Sequence, residues 1–246
     1  MASQAIFGAA SFATAAPAIS IEKPARAPVP APKPKLKARL ANPESLVTLI
    51  AGEGEMLKKF VMHKDFACHY SPVLKAAFNS SFLEGQTQVY KLPKTSERVV
   101  NLLVHWLYTQ EVIVDSETKS TASSEMPNYC ELWILADRLL IPRLQNAVVA
   151  EMIELQDAFG FTALNCLIYV YTNTAAKSPL RTMLLHRCMC LNNPEWFSSH
   201  PDGFPKEKLL EMAVVCCNTK SHAILIRQTG IRSNPGQYNV AEDSEA

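Results

Sequence analysis

The chain has 246 residues, 48% of them hydrophobic, with 24 lysines and arginines against 23 acidic residues and a net charge of +1. That length builds one large or two small domains with a real core, and the near-neutral charge argues against a globally basic nucleic-acid binder or an acidic solvating chain. Glycines number only eight, GxxxxGK[ST] and GxGxxG are both absent, and no apolar run reaches membrane-spanning length, so the common nucleotide cradles and a membrane helix are excluded.

The first 20 residues are rich in Ala and Ser but lack a charged start and a continuous apolar block, so a secretory signal is not expected. The first base is Lys23, too late for an Arg-rich transit helix. Residues 24–37, PARAPVPAPKPKLK, alternate proline with small or basic residues and read as extended and semi-rigid. Residues 1–43 are therefore expected to be a disordered basic tail of charge +5, which leaves −4 for the remainder. Lys33, Lys35, Lys37 and Arg39 suit a solubilising linker, or else a nuclear-import or nucleic-acid patch. The odd count of seven cysteines, without framework spacing, points to a reducing compartment, the nucleus and/or cytoplasm.

Ordered structure is expected from about residue 44. Leu46–Ile50, a turn at Gly52 and Gly54, and Phe60–His63 read as a strand hairpin. Residues 64–79 read as two short helices broken at Ser71-Pro72, where Ser caps and Pro takes the first helical position. Gly85 is expected to end a loop, with Thr87–Leu92 a short strand.

From Ser96 the pattern is helical, with Val99, Leu102, Leu103, Trp106 and Leu107 on one buried stripe. An extended piece, Glu111–Val114, and a polar insert, Asp115–Glu125, are expected next. Helices follow over 127–141, 143–155, 161–172, 180–190 and 206–217, the last burying Leu209, Leu210, Ala213, Val214 and Cys217. Gln228–Ala246, with Asn-Pro-Gly and a closing acidic run, reads as disordered. The order of elements suits an α+β fold with a helix-dominated body.

Phe60-Val-Met-His-Lys-Asp65, Ser71-Pro72, Ala76-Ala-Phe78, Phe82-Leu-Glu-Gly85 and Trp106-Leu-Tyr-Thr-Gln110 together strongly resemble a BTB/POZ domain, of the small fungal type. No kelch repeat, MATH domain or Cys₂His₂ finger follows it. The resemblance covers residues 44–155 and implies a small sheet on a helical cluster, closed by a helical hairpin at about 127–155. An all-helical extension over 156–222 and a disordered tail over 223–246 complete the expected organisation. His63, where strand becomes helix, is expected to be a structural residue capping that helix.

The resemblance implies a non-enzymatic interaction module that self-associates and scaffolds protein partners, in some members by docking a cullin to build a ubiquitin ligase. Phe82-Leu83-Glu84 fits the hydrophobic-any-Glu pattern of cullin-binding members at the matching place. Homodimer contacts are expected at Leu46, Phe66, Tyr70 and Val73. Many members carry an acidic residue where this chain has Leu46, so the usual charged dimer contact is not implied. The alternative is a nuclear regulator or corepressor-type protein with a nucleic-acid-associating basic tail.

No metal, cofactor or small-molecule substrate is expected. His186-x-Cys188-x-Cys190 with Cys216-Cys217 has enough soft ligands for zinc, yet i, i+2, i+4 on a helix spreads them over different faces. Cys68-His69 are sequence neighbours that do not aim at each other as a catalytic pair would.

Overall fold

A computed structural model describes residues 37–54, 57–113, 117–190, 197, 199, 203–218 and 234–242. Most of the expected tails, including Lys33 and Lys35, lie outside them. Strand β1 (Leu46–Ala51) pairs antiparallel with β2 (Lys58–His63), Leu46 opposite His63 and Ala51 opposite Lys58. Strand β3 (Val89–Leu92) pairs parallel with β1, Thr48 opposite Val89, so the sheet order is β2-β1-β3. Side chains alternate across a strand. Val47, Leu49, Ala51, Met62 and Leu92 accordingly face the core, and Leu46 and Val61 stand on the outer face, 47% and 61% exposed.

The helices α1 (Lys64–Tyr70) and α2 (Pro72–Phe78) meet at Ser71 as expected. The Ser71 hydroxyl accepts from Leu74 N at 3.1 Å and donates to Leu139 O at 2.7 Å, tying this corner to a helix 68 residues away. His63 departs from expectation. It occupies the N-cap position of α1, but its ring makes no cap bond; Nδ1 lies 2.8 Å from the Tyr108 hydroxyl instead.

Gly85 does not end a loop. It sits inside a short helix α3 (Leu83–Thr87), where a Cβ would stand 1.9 Å from Ser80 O, so the packing admits no side chain. Helix α4 (Glu97–Thr109) buries the expected stripe, capped by Ser96, whose hydroxyl accepts from Val99 N at 3.3 Å. Gln110 closes it in the left-handed region at φ 65°. Residues 111–113 form no strand; the Ile113 carbonyl accepts from the buried Tyr129 hydroxyl at 2.9 Å.

Most of the polar insert is helix. Helix α5 (Lys119–Arg138) starts on a Thr118/Thr121 capping box, and Pro127 lies within it. Proline has no N–H for the carbonyl four residues back. That carbonyl, Ser123 O, accepts instead from Asn165 Nδ2 at 3.1 Å. Helix α6 (Pro142–Phe159) returns antiparallel to complete the hairpin and ends at Gly160, in the left-handed region at φ 60°.

Helix α7 (Leu167–Asn173) begins later than expected because residues 161–166 form a turn held from α6. The buried Gln156 accepts from Ala163 N at 3.0 Å and donates to Met152 O at 2.9 Å. Helix α8 (Pro179–Met189) is tied to α6 by Arg187, which donates to Asp157 at 2.6 Å and to Ile153 O at 2.8 Å. Ala163, Cys166, Leu167, Val170, Leu184 and Cys188 join one hydrophobic cluster with the α4–α6 residues. The helices beyond residue 156 thus share the core of the preceding domain.

Two expectations at the carboxyl end are corrected. Helix α9 (Lys206–Asn218) buries Lys208 and packs Met212 and Val215 against Leu185 and Met189. It turns Leu209, Leu210, Ala213, Val214 and Cys217 outward. Within the expected disordered tail, residues 234–242 are packed: a 3-10 turn at Pro235–Tyr238 inserts Tyr238, 1% exposed, into the main core cluster.

Candidate protein-interaction surfaces

The segment ahead of β3 is shaped by its polar side chains. The Ser80 hydroxyl accepts from Phe82 N at 3.2 Å, and Gln86 Nε2 donates to Ser81 O at 2.8 Å. Gln88, in the left-handed region at φ 54°, donates to Gly85 O and Phe78 O. Lys64 Nζ adds a bond to Phe78 O at 2.9 Å. With its backbone so fixed, the segment projects Phe82 and Leu83 side by side, 74% and 66% exposed, and Glu84 half-buried next to them. Two large apolar side chains thus stand exposed at a braced helix start.

A second surface lies where β2 meets α1 and α4. The Phe66 and Tyr108 rings are 4.6 Å apart, and His63 stands 6.3 Å from Phe66 and 6.0 Å from Tyr108. Cross-strand pairing sets Leu46 beside His63. Among the four expected dimer residues, Leu46 and Phe66 are therefore brought to one patch.

Tyr70 and Val73 are half-buried against the core. Tyr70 packs edge-on against Trp106 at 5.4 Å, lies under the Arg143 guanidinium at 5.9 Å, and accepts from Ala38 N at 3.2 Å. Residues 38–42 run over this part of α1, for Asp65 also accepts from Ala41 N and Asn42 N, both at 2.8 Å. These backbone donors hold the Asp65 carboxyl below its ordinary pKa. Sequence reasoning passed over Val61, Tyr108 and Leu140, all exposed. The alternation in β2 marked Val61; nothing local marked the other two.

The chemical candidates do not assemble. Cys188 is buried, His186 Nδ1 is 2.8 Å from the Tyr238 hydroxyl, and Cys216 and Cys217 are exposed. Among the described residues no three His, Cys, Asp or Glu side chains come together to hold a metal. Burial pushes the Cys68 thiol pKa up, the opposite of nucleophile activation. Among the described residues no helix is long and apolar enough to cross a membrane.

Residues 42–156 match the family model of the BTB/POZ domain, bracketing the sheet, the short helices and the α5–α6 hairpin. The chain carries a BTB/POZ domain. The α+β fold and its helical extension follow the expected class. A comparison with curated proteins gave no match. A BTB/POZ domain is a protein–protein interaction module, and the two surfaces above are its candidate docking sites.

Proposed function

We propose that this BTB/POZ protein is a non-enzymatic scaffold that self-associates and serves as a substrate adaptor for a cullin ubiquitin ligase. The supporting observation is the Phe82-Leu83 pair, braced at the start of α3 and left open to solvent with Glu84 beside it. An apolar pocket on a partner helix would take Phe82, and the Glu84 carboxylate would fix register at its rim. The mechanism is docking by pre-formed surfaces, without bond-making. Substrates would be held by other parts of the chain, including the helical extension.

The test is a pull-down of purified full chain with a cullin amino-terminal domain. Wild type is expected to be retained, and Glu84→Lys and Phe82→Ala to be lost without a change in melting temperature. Failure of wild type to bind removes the adaptor reading and leaves the interaction module.

The patch of Leu46, His63, Phe66 and Tyr108 supports self-association through α1 and the sheet edge. Light scattering on the full chain is expected to give a dimer mass. Leu46→Asp is expected to return it to monomer, and a monomeric wild type refutes this part of the reading.

A further inference from the structure

Residues 234–242 lie on α6 and α8 in the manner of a bound peptide. Tyr238 is buried, Val240 half-buried and Glu242 exposed but bonded to Asn146, while the intervening Gln237, Asn239 and Ala241 are exposed. Tyr238 is the anchor, its ring 5.6 Å from that of His186 and its hydroxyl 2.8 Å from His186 Nδ1.

Asn146 on α6 reads the main chain. Its Oδ1 accepts from Val240 N at 2.6 Å, and its Nδ2 donates to Val240 O at 3.1 Å and to Glu242 Oε1 at 3.0 Å. A side-chain amide that takes both backbone groups of one residue reproduces half a β-ladder, and it accepts any side chain there. The site thus has one deep aromatic pocket, one main-chain clamp and one acceptor-carrying residue two positions on. Burial pushes the Tyr238 hydroxyl pKa up and the His186 pKa down, which favours the neutral form of both partners of the anchor bond.

A partner segment that makes the same contacts competes directly with residues 234–242 for them.

We propose that the α6–α8 groove is a peptide-docking site which the chain occupies with its own residues 234–242, and that its ligand is an extended partner segment. That segment carries a tyrosine, an aliphatic residue two positions later and a carboxylate two beyond that. The tail is then a displaceable ligand in cis. The site is separate from the Phe82 surface and does not depend on it.

The probe is a fluorescein-labelled synthetic peptide of residues 234–246, titrated by anisotropy against the full chain. Full-chain Tyr238→Ala, with the groove vacated, is expected to bind it at least tenfold more tightly than wild type. A peptide carrying Tyr238→Ala is expected to show no binding. Adding Asn146→Ala to the Tyr238→Ala chain is expected to weaken binding at least tenfold, with the circular dichroism unchanged. Should Tyr238→Ala fail to fold, Val240→Pro vacates the clamp by removing one N–H, and the same gain in peptide binding is expected. A folded, vacated chain that ignores the peptide overturns the proposal, as does equal binding of the two peptides.

Discussion

Replacing Ser71 by alanine should destabilise the protein more than the loss of an ordinary helix cap. Its hydroxyl caps α2 through Leu74 N and bonds the Leu139 carbonyl at the end of α5, in a fully buried position. An exposed cap is worth about 1 kcal/mol. Ser71→Ala also leaves a buried carbonyl without its side-chain donor and a buried N–H without its cap, each costing about 1–3 kcal/mol. Allowing for partial rescue by water, the loss comes to about 3 kcal/mol. For a chain of this size that lowers the melting temperature by roughly 6–12 °C.

Ser96→Ala supplies the comparison. Ser96 caps α4 through Val99 N and also donates to Glu131 Oε2 at 3.3 Å, but it is exposed and water replaces what is lost; about 1 kcal/mol is expected there. Urea unfolding of the full chain, followed by circular dichroism, measures both. Equal losses for the two variants would refute the claim that the buried Leu139 carbonyl carries the difference.

Three further outcomes follow from particular contacts. Gly85→Ala should cost more than 2 kcal/mol, an overpacking penalty, because the new Cβ meets the Ser80 carbonyl at 1.9 Å. It should also reduce partner retention through Phe82, read by urea unfolding and pull-down together. Asp65 has a lowered folded pKa, so its hold on residues 41–42 is present above the ordinary carboxylate value and lost as pH falls through the lowered one. Protection of the Ala41 and Asn42 amides, measured relative to their intrinsic exchange rates, should fall over that acid range and lose this pH dependence in Asp65→Asn.

Lys208→Met should raise the melting temperature at neutral pH. The buried amine stands beside the Cys188 thiol and 5.6 Å from the Tyr171 ring centroid, with no carboxylate among the described residues bonded to it, and burial lowers its pKa. The penalty is full below that lowered value and fades as pH climbs to the ordinary lysine value, so the two melting curves should converge in alkali.

The sequence was legible where one local pattern met one environment. The α4 stripe was read correctly because its apolar residues face a core on one side only, and Ser71-Pro72 because cap and first-turn proline are local chemistry. The start of α5 was not legible: Thr, Ser and Lys around 118–125 look like a loop, and Pro127 looks like a boundary. Its helix rests on the Thr118/Thr121 capping box and on burial of Ala122 and Met126, while Asn165, from 42 residues away in sequence, takes the carbonyl that proline cannot satisfy. Helix α9 failed for the converse reason. Its apolar stripe is real, but α8 meets Met212 and Val215 instead, so the stripe is left on the surface.

The candidate site divides in the same way. Phe82-Leu83-Glu84 was visible as a short pattern, while its presentation depends on Ser80, Gln86, Gln88 and Lys64, none of which carries a signal of its own. The docked segment at 234–242 shows why polarity alone misleads. Nine residues with two apolar anchors and a Pro-Gly turn look unable to fold, and by themselves they bury too little to offset chain entropy. Their order comes from a groove already built by α6 and α8, and what a groove can order in cis, a matching segment in trans can replace.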